Sequence, residues 1–241
     1  MKKWIPNLIT LLNLFCGCTA VIALMDRQYT TAFWLLVVAG VADFADGLVA
    51  RLLGVAGDLG KEMDSLADMV TFGVVPGMIY YVLLFNYYNG EESPVFIDYY
   101  ALPAFLVPLL SAVRLAKFNL DTRQTVDFIG LATPANTVFA AGIMLLYQSD
   151  AYGLGFLARQ PVFLYAYVLV MSFLLISELR MFSFKFKSAG WAGNEVRWVF
   201  IAVALGLLAV LGGAAFCFIV LFYILLNVGL RLFGRKEEVI S

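Results

Sequence analysis

The stretch DFADGLVARLLGVAGDLGKEMDSLAD, residues 43–68, places aspartates in a chain whose composition is otherwise strongly apolar. Its first half has five residues at offsets of 0, 3, 4, 7 and 8, namely Asp43, Asp46, Gly47, Ala50 and Arg51. On an α-helix these offsets place all five residues on one face. The pattern therefore predicts a helix whose polar face combines two carboxylates, two small residues and one arginine.

The second half of the stretch repeats the arrangement, because Asp64 and Asp68 follow Gly60 at i, i+4 spacing. If the two helices face each other, four carboxylates converge. A charge inside a membrane costs about 3 kcal/mol or more unless it is paired or otherwise compensated. The stretch is therefore interpreted as a metal site and, by extension, as an active site.

Hydrophobic residues make up 63% of the 241 residues, compared with roughly 45 to 50% in soluble domains. Eight apolar runs approach the roughly 20 residues of a membrane-spanning helix: 7–25, 29–51, 62–86, 98–118, 133–149, 160–179, 196–212 and 214–233. The chain is predicted to be one all-α domain, residues 1–241, forming a polytopic membrane bundle of about eight transmembrane helices. The boundary at Gly212 and Gly213 stays open, since one re-entrant hairpin would give the same pattern.

Charge asymmetry predicts how this bundle is oriented. Eight spans put both termini on one side, and that side also receives every lysine and arginine except Arg27 and Arg159. The positive-inside rule then makes this side cytoplasmic. Both termini and the aspartate stretch are therefore predicted to face the cytoplasm.

The chain contains no histidine, which excludes Ser-His-Asp hydrolysis and histidine metal ligands. An oxygen-only ligand set favours hard cations such as Mg²⁺ or Mn²⁺. Two such ions about 3.5 to 4 Å apart can stabilise both the attacking and the leaving oxygen of a phosphoryl displacement. The sequence therefore predicts two divalent cations, Mg²⁺ or Mn²⁺, and phosphoryl-transfer chemistry.

The full stretch resembles the signature of the CDP-alcohol phosphotransferase family. The eight fixed positions of that signature are all present: Asp43, Asp46, Gly47, Ala50, Arg51, Gly60, Asp64 and Asp68. The resemblance implies an integral membrane enzyme that moves a substituted phosphate from a CDP-linked lipid to an alcohol and releases CMP. It also implies a homodimer in a bacterial cytoplasmic membrane, and no nucleic-acid partner.

Flanking segments resemble the serine-accepting, membrane-embedded branch of the family. They are IPNLITLLNLFCG at 5–17, SLADMVTFGVVPG at 65–77, RLAKFN at 114–119, FIGLATPAN at 128–136 and ELRMFSFK at 178–185. This likeness implies CDP-diacylglycerol as donor and L-serine as acceptor. One departure is Ala132, where a proline is expected, and it lies outside the metal motif.

The resemblance also implies roles for individual residues. Asp43 and Asp64 would bridge two metals, Asp46 would complete one site, and Asp68 would bind the second metal and act as general base. Contacts to the CDP-lipid would come from Asn7, Thr10, Gly47, Ala50, Arg51 and Gly60. Six residues after Arg51, where relatives often carry a hydroxyl, this chain has Gly57.

The serine carboxylate needs a cationic partner, and Arg114 and Lys117 lie at the predicted cytoplasmic end of the fourth helix. Asn119 and Thr133 add hydrogen-bonding groups nearby in the sequence. These four residues are predicted to bind the acceptor. Alternatively, the two cations only mark the membrane interface, where each charge attracts anionic lipid by about 1 kcal/mol.

Two other functions stay open at this point. The same chemistry could use inositol phosphate or glycerol phosphate as acceptor, although a phosphorylated acceptor calls for extra cationic residues in the pocket and the modest set here favours an unphosphorylated one. A divalent-cation transporter would also place aspartates on facing helices. Transport sites, however, favour the bilayer midplane and broken helices, whereas this stretch is predicted at the cytoplasmic ends of its helices.

Overall fold

The structure is a computed structural model that describes residues 4–55, 57–90, 97–120, 128–182, 190 and 194–233. Its helices are α1 (Trp4–Met25), α2 (Tyr29–Leu52), α3 (Asp58–Asp68), α4 (Val75–Asn89), α5 (Leu106–Leu120), α6 (Thr133–Ser149), α7 (Phe156–Arg159), α8 (Pro161–Ile176), α9 (Glu195–Leu211) and α10 (Ala215–Phe233). A π-helical turn, Met69–Val74, joins α3 to α4. Strands β1 (Phe128–Ile129) and β2 (Arg180–Met181) form one short antiparallel pair. The predicted all-α membrane bundle is confirmed.

Five continuous helical segments are long and apolar enough to cross a membrane: Trp4–Met25, Tyr29–Leu52, Asp58–Asn89, Leu102–Leu120 and Glu195–Arg231. Helix is nevertheless present in all eight ranges expected from the sequence. The helices α6 and α8 are shorter, with 17 and 16 residues, or about 25 Å each at 1.5 Å per residue. The segment Glu195–Arg231 contains two of the expected ranges.

The expected break at Gly212 is confirmed as a change of direction. Gly212 has a φ of +56° and opens a 3₁₀ turn between α9 and α10. The end of α9 lies beside Tyr152, whose hydroxyl donates to the Val210 carbonyl at 3.2 Å. Asn227, late in α10, accepts a hydrogen bond from the Phe182 amide at 2.8 Å. The two helices therefore form an antiparallel hairpin.

Hydrogen bonds at the two ends of the bundle show which helix ends lie together. At one end, Lys61 at the start of α3 donates to the Asn119 carbonyl at the end of α5, at 3.2 Å. At the other end, Arg27 donates to the Asn86 side chain at 2.9 Å, which links the α1–α2 turn to the end of α4. We call the end with Lys61 and Asn119 the aspartate end, and the end with Arg27 and Asn86 the opposite end.

Glycines allow the helices that carry the aspartates to pack closely. A Cβ added at Gly17 of α1 would overlap the Thr71 hydroxyl oxygen. One added at Gly77 would lie 2.6 Å from Pro108 of α5. Since so close an approach leaves no room for sliding, the long Asp58–Asn89 segment is fixed in depth against α1 and α5.

Candidate active site

Three carboxylates from two helices converge at the aspartate end. Oxygens of Asp43, from α2, and of Asp64 and Asp68, from α3, all lie within 4.8 Å of one another. Asp46 lies one turn beyond Asp43, where it is buried and accepts a hydrogen bond of 2.5 Å from the Thr10 hydroxyl. The predicted convergence of the two aspartate pairs is thus present, with Asp46 turned toward α1.

The π-helical turn follows Asp68 directly. Such turns insert one extra residue into a helix and occur frequently at functional sites. Within this turn Thr71 is fully buried, and its hydroxyl donates to the Asn13 carbonyl of α1 at 3.2 Å. The turn therefore changes the register of the helix immediately after Asp68, while α1 holds it in place.

Asn13 is a site residue that the sequence interpretation missed. Its side-chain amide donates to Asp68 at 3.5 Å, and its side-chain oxygen is buried without a hydrogen-bond partner among the described residues. A single asparagine in an apolar helix attracts little notice. A signal was present, however, because Asn7, Thr10 and Asn13 recur every three residues and share one face.

The convergence is electrostatically unfavourable without a cation. Two unit negative charges 4.8 Å apart repel each other by about 3.5 kcal/mol at an effective dielectric constant of about 20. In the described part of the chain no lysine or arginine forms an ion pair with Asp43, Asp64 or Asp68. One oxygen of Asp64 is also buried without a hydrogen-bond donor there.

A divalent cation fits this donor set. All the donors are carboxylate oxygens, which suit Mg²⁺ and Mn²⁺. Ligands on opposite sides of Mg²⁺ are about 4.2 Å apart, since each metal–oxygen distance is about 2.1 Å. Small side-chain rotations would bring the observed spacing of up to 4.8 Å to that value.

A polar cavity of about 600 Å³ opens beside the carboxylates. Its lining residues are Pro6, Asn7, Thr10, Asp46, Gly47, Ala50, Arg51, Val55, Gly57, Asp58, Leu59, Gly60, Lys61 and Asp64. All six residues predicted to contact the CDP-lipid are among them. Lys61, which the sequence interpretation did not assign, adds a second cation beside Arg51.

The two glycines of the motif face this cavity differently. A Cβ at Gly60 would lie 3.5 Å from the Asn7 side-chain oxygen, so Gly60 leaves space where α1 and α3 approach each other. A Cβ at Gly47 would meet only the Arg51 guanidinium, at 3.8 Å. Both positions therefore keep backbone accessible to a ligand.

An apolar groove of about 410 Å³ leads away from Asp43 between α2 and α6. Its lining residues are Phe33, Leu36, Val37, Gly40, Val41, Asp43, Phe44, Phe72, Pro134, Thr137, Val138, Ala141 and Phe216. A Cβ added at Gly40 would meet open space. The sequence interpretation missed this groove because its walls come from segments far apart in the chain.

Arg114 and Thr133, two of the predicted acceptor residues, lie together. Arg114 is only 7% exposed. Its guanidinium donates to the Leu131 carbonyl at 2.6 Å and to the Thr133 hydroxyl at 3.4 Å, and it interacts electrostatically with Asp68. The other two lie elsewhere. Lys117 is exposed, and the Asn119 side chain donates to the Ser65 hydroxyl at 2.7 Å.

Comparison with known proteins identifies the class that this fold and site define. The sequence profile of the CDP-alcohol phosphatidyltransferase family matches residues 3–176. The chain belongs to this family, and it is a phosphotransferase. The resemblance inferred from the aspartate motif is confirmed.

Several of the most similar relatives carry the same name, which states an enzymatic activity. The chain is 30% identical to the CDP-diacylglycerol–serine O-phosphatidyltransferase of Bacillus subtilis, over 81% of the chain and 99% of that protein. It is 32% identical to the protein of the same name from Helicobacter pylori, over 75% of the chain and 72% of that protein. A protein of that name from Methanocaldococcus jannaschii is 33% identical over 60% of the chain and 62% of its own length.

Replacing Asp43 with asparagine is expected to abolish stabilisation by Mn²⁺. A ligand that binds only the folded state stabilises it by about 2.7 kcal/mol at 100 times its dissociation constant. Mn²⁺ should therefore raise the melting temperature of the wild-type protein in detergent but not that of Asp43→Asn. The matched control is Glu62→Gln, an exposed acid on the same helix as Asp64. Equal shifts in all three proteins would rule out a metal at the carboxylates.

Proposed function

We propose that the chain transfers the phosphatidyl group of CDP-diacylglycerol to the hydroxyl of L-serine, giving phosphatidylserine and CMP. The observation that carries the proposal is the meeting of three compartments at the aspartates. Asp64 lines the polar cavity, Asp43 borders the apolar groove, and Asp68 interacts with buried Arg114. These compartments match a nucleotide, an acyl chain and an anionic acceptor, which are the three parts of the reaction.

The donor lipid is assigned to the polar cavity and the groove together. Arg51 and Lys61 in the cavity supply positive charge for the diphosphate, and an arginine can hold a phosphate through paired hydrogen bonds. The accessible backbone at Gly47 and Gly60 suits the close approach of a flat base and its ribose. The groove beyond Asp43 then receives hydrocarbon.

The chemistry at the reacting phosphate is assigned to the four aspartates, which would hold the metal ions, with Asp68 also acting as the general base. One or two Mg²⁺ or Mn²⁺ ions held by the four aspartates would neutralise the developing negative charge on the phosphate oxygens. The serine oxygen forms a bond to the phosphorus that carries diacylglycerol. The bond from this phosphorus to the bridging oxygen breaks, and CMP takes the electron pair. Asp68 accepts the hydroxyl proton.

Arg114 is assigned to the carboxylate of serine. An arginine offers five N–H donors, and in the described structure two hydrogen bonds are made, to Leu131 and Thr133. No described carboxylate forms an ion pair with it. Because an unpaired buried charge is unfavourable, an anionic substrate group beside Asp68 would complete the site.

The distribution of cations supports an active site on the cytoplasmic face of a bacterial inner membrane. Seven described cations belong to helix ends or strands at the aspartate end: Arg51, Lys61, Arg114, Lys117, Arg180, Arg197 and Arg231. Arg27 and Arg159 lie at the opposite end, where Arg27 bonds Asn86 and Arg159 bonds Asp150. The positive-inside rule then orients the bundle. A homodimer stays a prediction, as the structure is of a single chain.

The proposed reaction is tested by CMP release from purified protein, CDP-diacylglycerol and Mn²⁺. We expect release with L-serine and none with inositol phosphate or glycerol phosphate. Asp68→Asn should lower kcat by about 10²- to 10⁴-fold, the usual contribution of a general base. Release with a phosphorylated alcohol alone would reject serine, and near-wild-type turnover of Asp68→Asn with metal bound would reject Asp68 as the base.

Replacing Arg114 with glutamine is expected to raise the KM for serine by roughly 10- to 100-fold. A hydrogen bond to a charged group contributes about 1.5 to 3 kcal/mol, and this variant removes both the charge and the fork geometry. The KM for CDP-diacylglycerol should change little, and Arg180→Gln, an exposed arginine, serves as the control. Equal increases in both KM values would refute the assignment.

The orientation of the bundle is tested by labelling single cysteines in intact spheroplasts, after Cys16, Cys18 and Cys217 are replaced by alanine. An impermeant maleimide should label Tyr152→Cys at the opposite end without lysis. Glu178→Cys, an exposed position after α8, should react only after lysis. The reverse labelling pattern would place the aspartates outside the cytoplasm.

A further inference from the structure

Helix α10 takes part in the apolar groove although it lies outside the family match. The match ends at residue 176, whereas α10 begins at Ala215. Its second residue, Phe216, lines the groove, and the Phe216 ring lies 5.7 Å from the Phe33 ring of α2 at an interplanar angle of 39°. A segment outside the matched residues thus supplies one wall of a groove whose other walls lie within the match.

We propose that Phe216 and Phe33 close the end of this groove and thereby select the acyl-chain length of the donor lipid. This inference rests on the proposed function, since it takes CDP-diacylglycerol as the donor. Along α2 the groove runs ten residues from Asp43 to Phe33, about 15 Å at 1.5 Å per residue. The hydrocarbon core of a bilayer is about 30 Å thick, so this length equals about one leaflet.

An acyl chain fits the groove better than a polar ligand does. Besides Asp43, the one other polar residue in the described lining is Thr137. The Thr137 hydroxyl is already used, because its one proton is shared between two acceptors, the carbonyls of Phe72 at 3.2 Å and Thr133 at 3.0 Å. The walls therefore offer hydrocarbon contacts alone, and they begin at the carboxylate that borders the reacting phosphate.

The position of Phe216 is fixed by close packing of α10 on α6. A Cβ added at Gly142 of α6 would overlap the Cys217 backbone, and one added at Gly213 would lie 2.8 Å from Leu145. Ala215 and Cys217, on either side of Phe216, are 0% and 1% exposed. Phe216 therefore cannot move along the groove without separating the two helices.

A closed groove end makes the rate depend on chain length. The acyl chain comes from bilayer hydrocarbon, so a methylene gains packing contacts with the groove walls rather than transfer from water, and several such contacts correspond to about a twofold change in relative rate. A chain that fills the groove gains this contribution for each methylene. A longer chain has to leave the groove where the two rings meet, so the additional methylenes gain nothing.

The test is a competition between CDP-diacylglycerols that differ only in acyl-chain length. Purified protein receives an equimolar mixture with Mn²⁺ and serine, and mass spectrometry measures the product lipids. Phe216→Ala should raise the ratio of long-chain to short-chain product by at least about twofold. Gly40→Leu, which fills open space in the groove, should lower this ratio by a similar factor.

The control is Leu225→Ala, an apolar position of α10 that is 67% exposed; it should keep the wild-type ratio. If Phe216→Ala does not elute as a folded protein, Phe216→Trp replaces it and should shift the products toward shorter chains. If the Phe216 and Gly40 variants still form phosphatidylserine with the wild-type ratio, this inference is overturned but the proposed function is not. No product lipid from the wild-type protein with any donor would overturn the proposed function, and the inference with it.

Discussion

Repulsion among carboxylates in a half-buried site is the constraint on which the rest of this structure depends. Carboxylate oxygens of Asp43, Asp64 and Asp68 lie within 4.8 Å of one another. While the carboxylates are charged and uncompensated, each pair repels by about 3.5 kcal/mol. Helix packing has to hold the carboxylates there. The glycine contacts of α1 with Thr71 and of α4 with Pro108 supply that rigidity, and a bound cation would offset the repulsion.

The same packing separates three chemical environments around one point. The polar cavity forms where α1, the end of α2 and the start of α3 meet, whereas the apolar groove runs between α2 and α6. Arg114 approaches from α5 and is held by the chain just before α6. The proposed reaction would use all three environments, since a lipid and a water-soluble alcohol have opposite solubility and have to meet at one phosphorus atom.

Much of the candidate site could be predicted because all four aspartates and four of the CDP-lipid positions belong to one motif, residues 43–68. The six positions assigned to the CDP-lipid all line the polar cavity, as the resemblance to the family implied. Prediction was less complete for the acceptor residues, where closeness in sequence did not decide which side chains meet. Lys117 and Asn119 are near Arg114 in sequence, but only Thr133 joins Arg114 in space. Asn13 and Phe216 were missed because each is an ordinary residue within an apolar run.

The sequence by itself determined the helical class and the aspartate face, because these depend on local periodicity and on hydropathy. Only the tertiary structure decided which faces meet and at what depth. The π-helical turn after Asp68 inserts one extra residue into the helix. A shift of one residue is too small to be recognised in the hydropathy pattern. The groove requires α2, α6 and α10 to pack side by side, and that packing is set by contacts between residues more than 100 positions apart, such as Phe33 with Phe216.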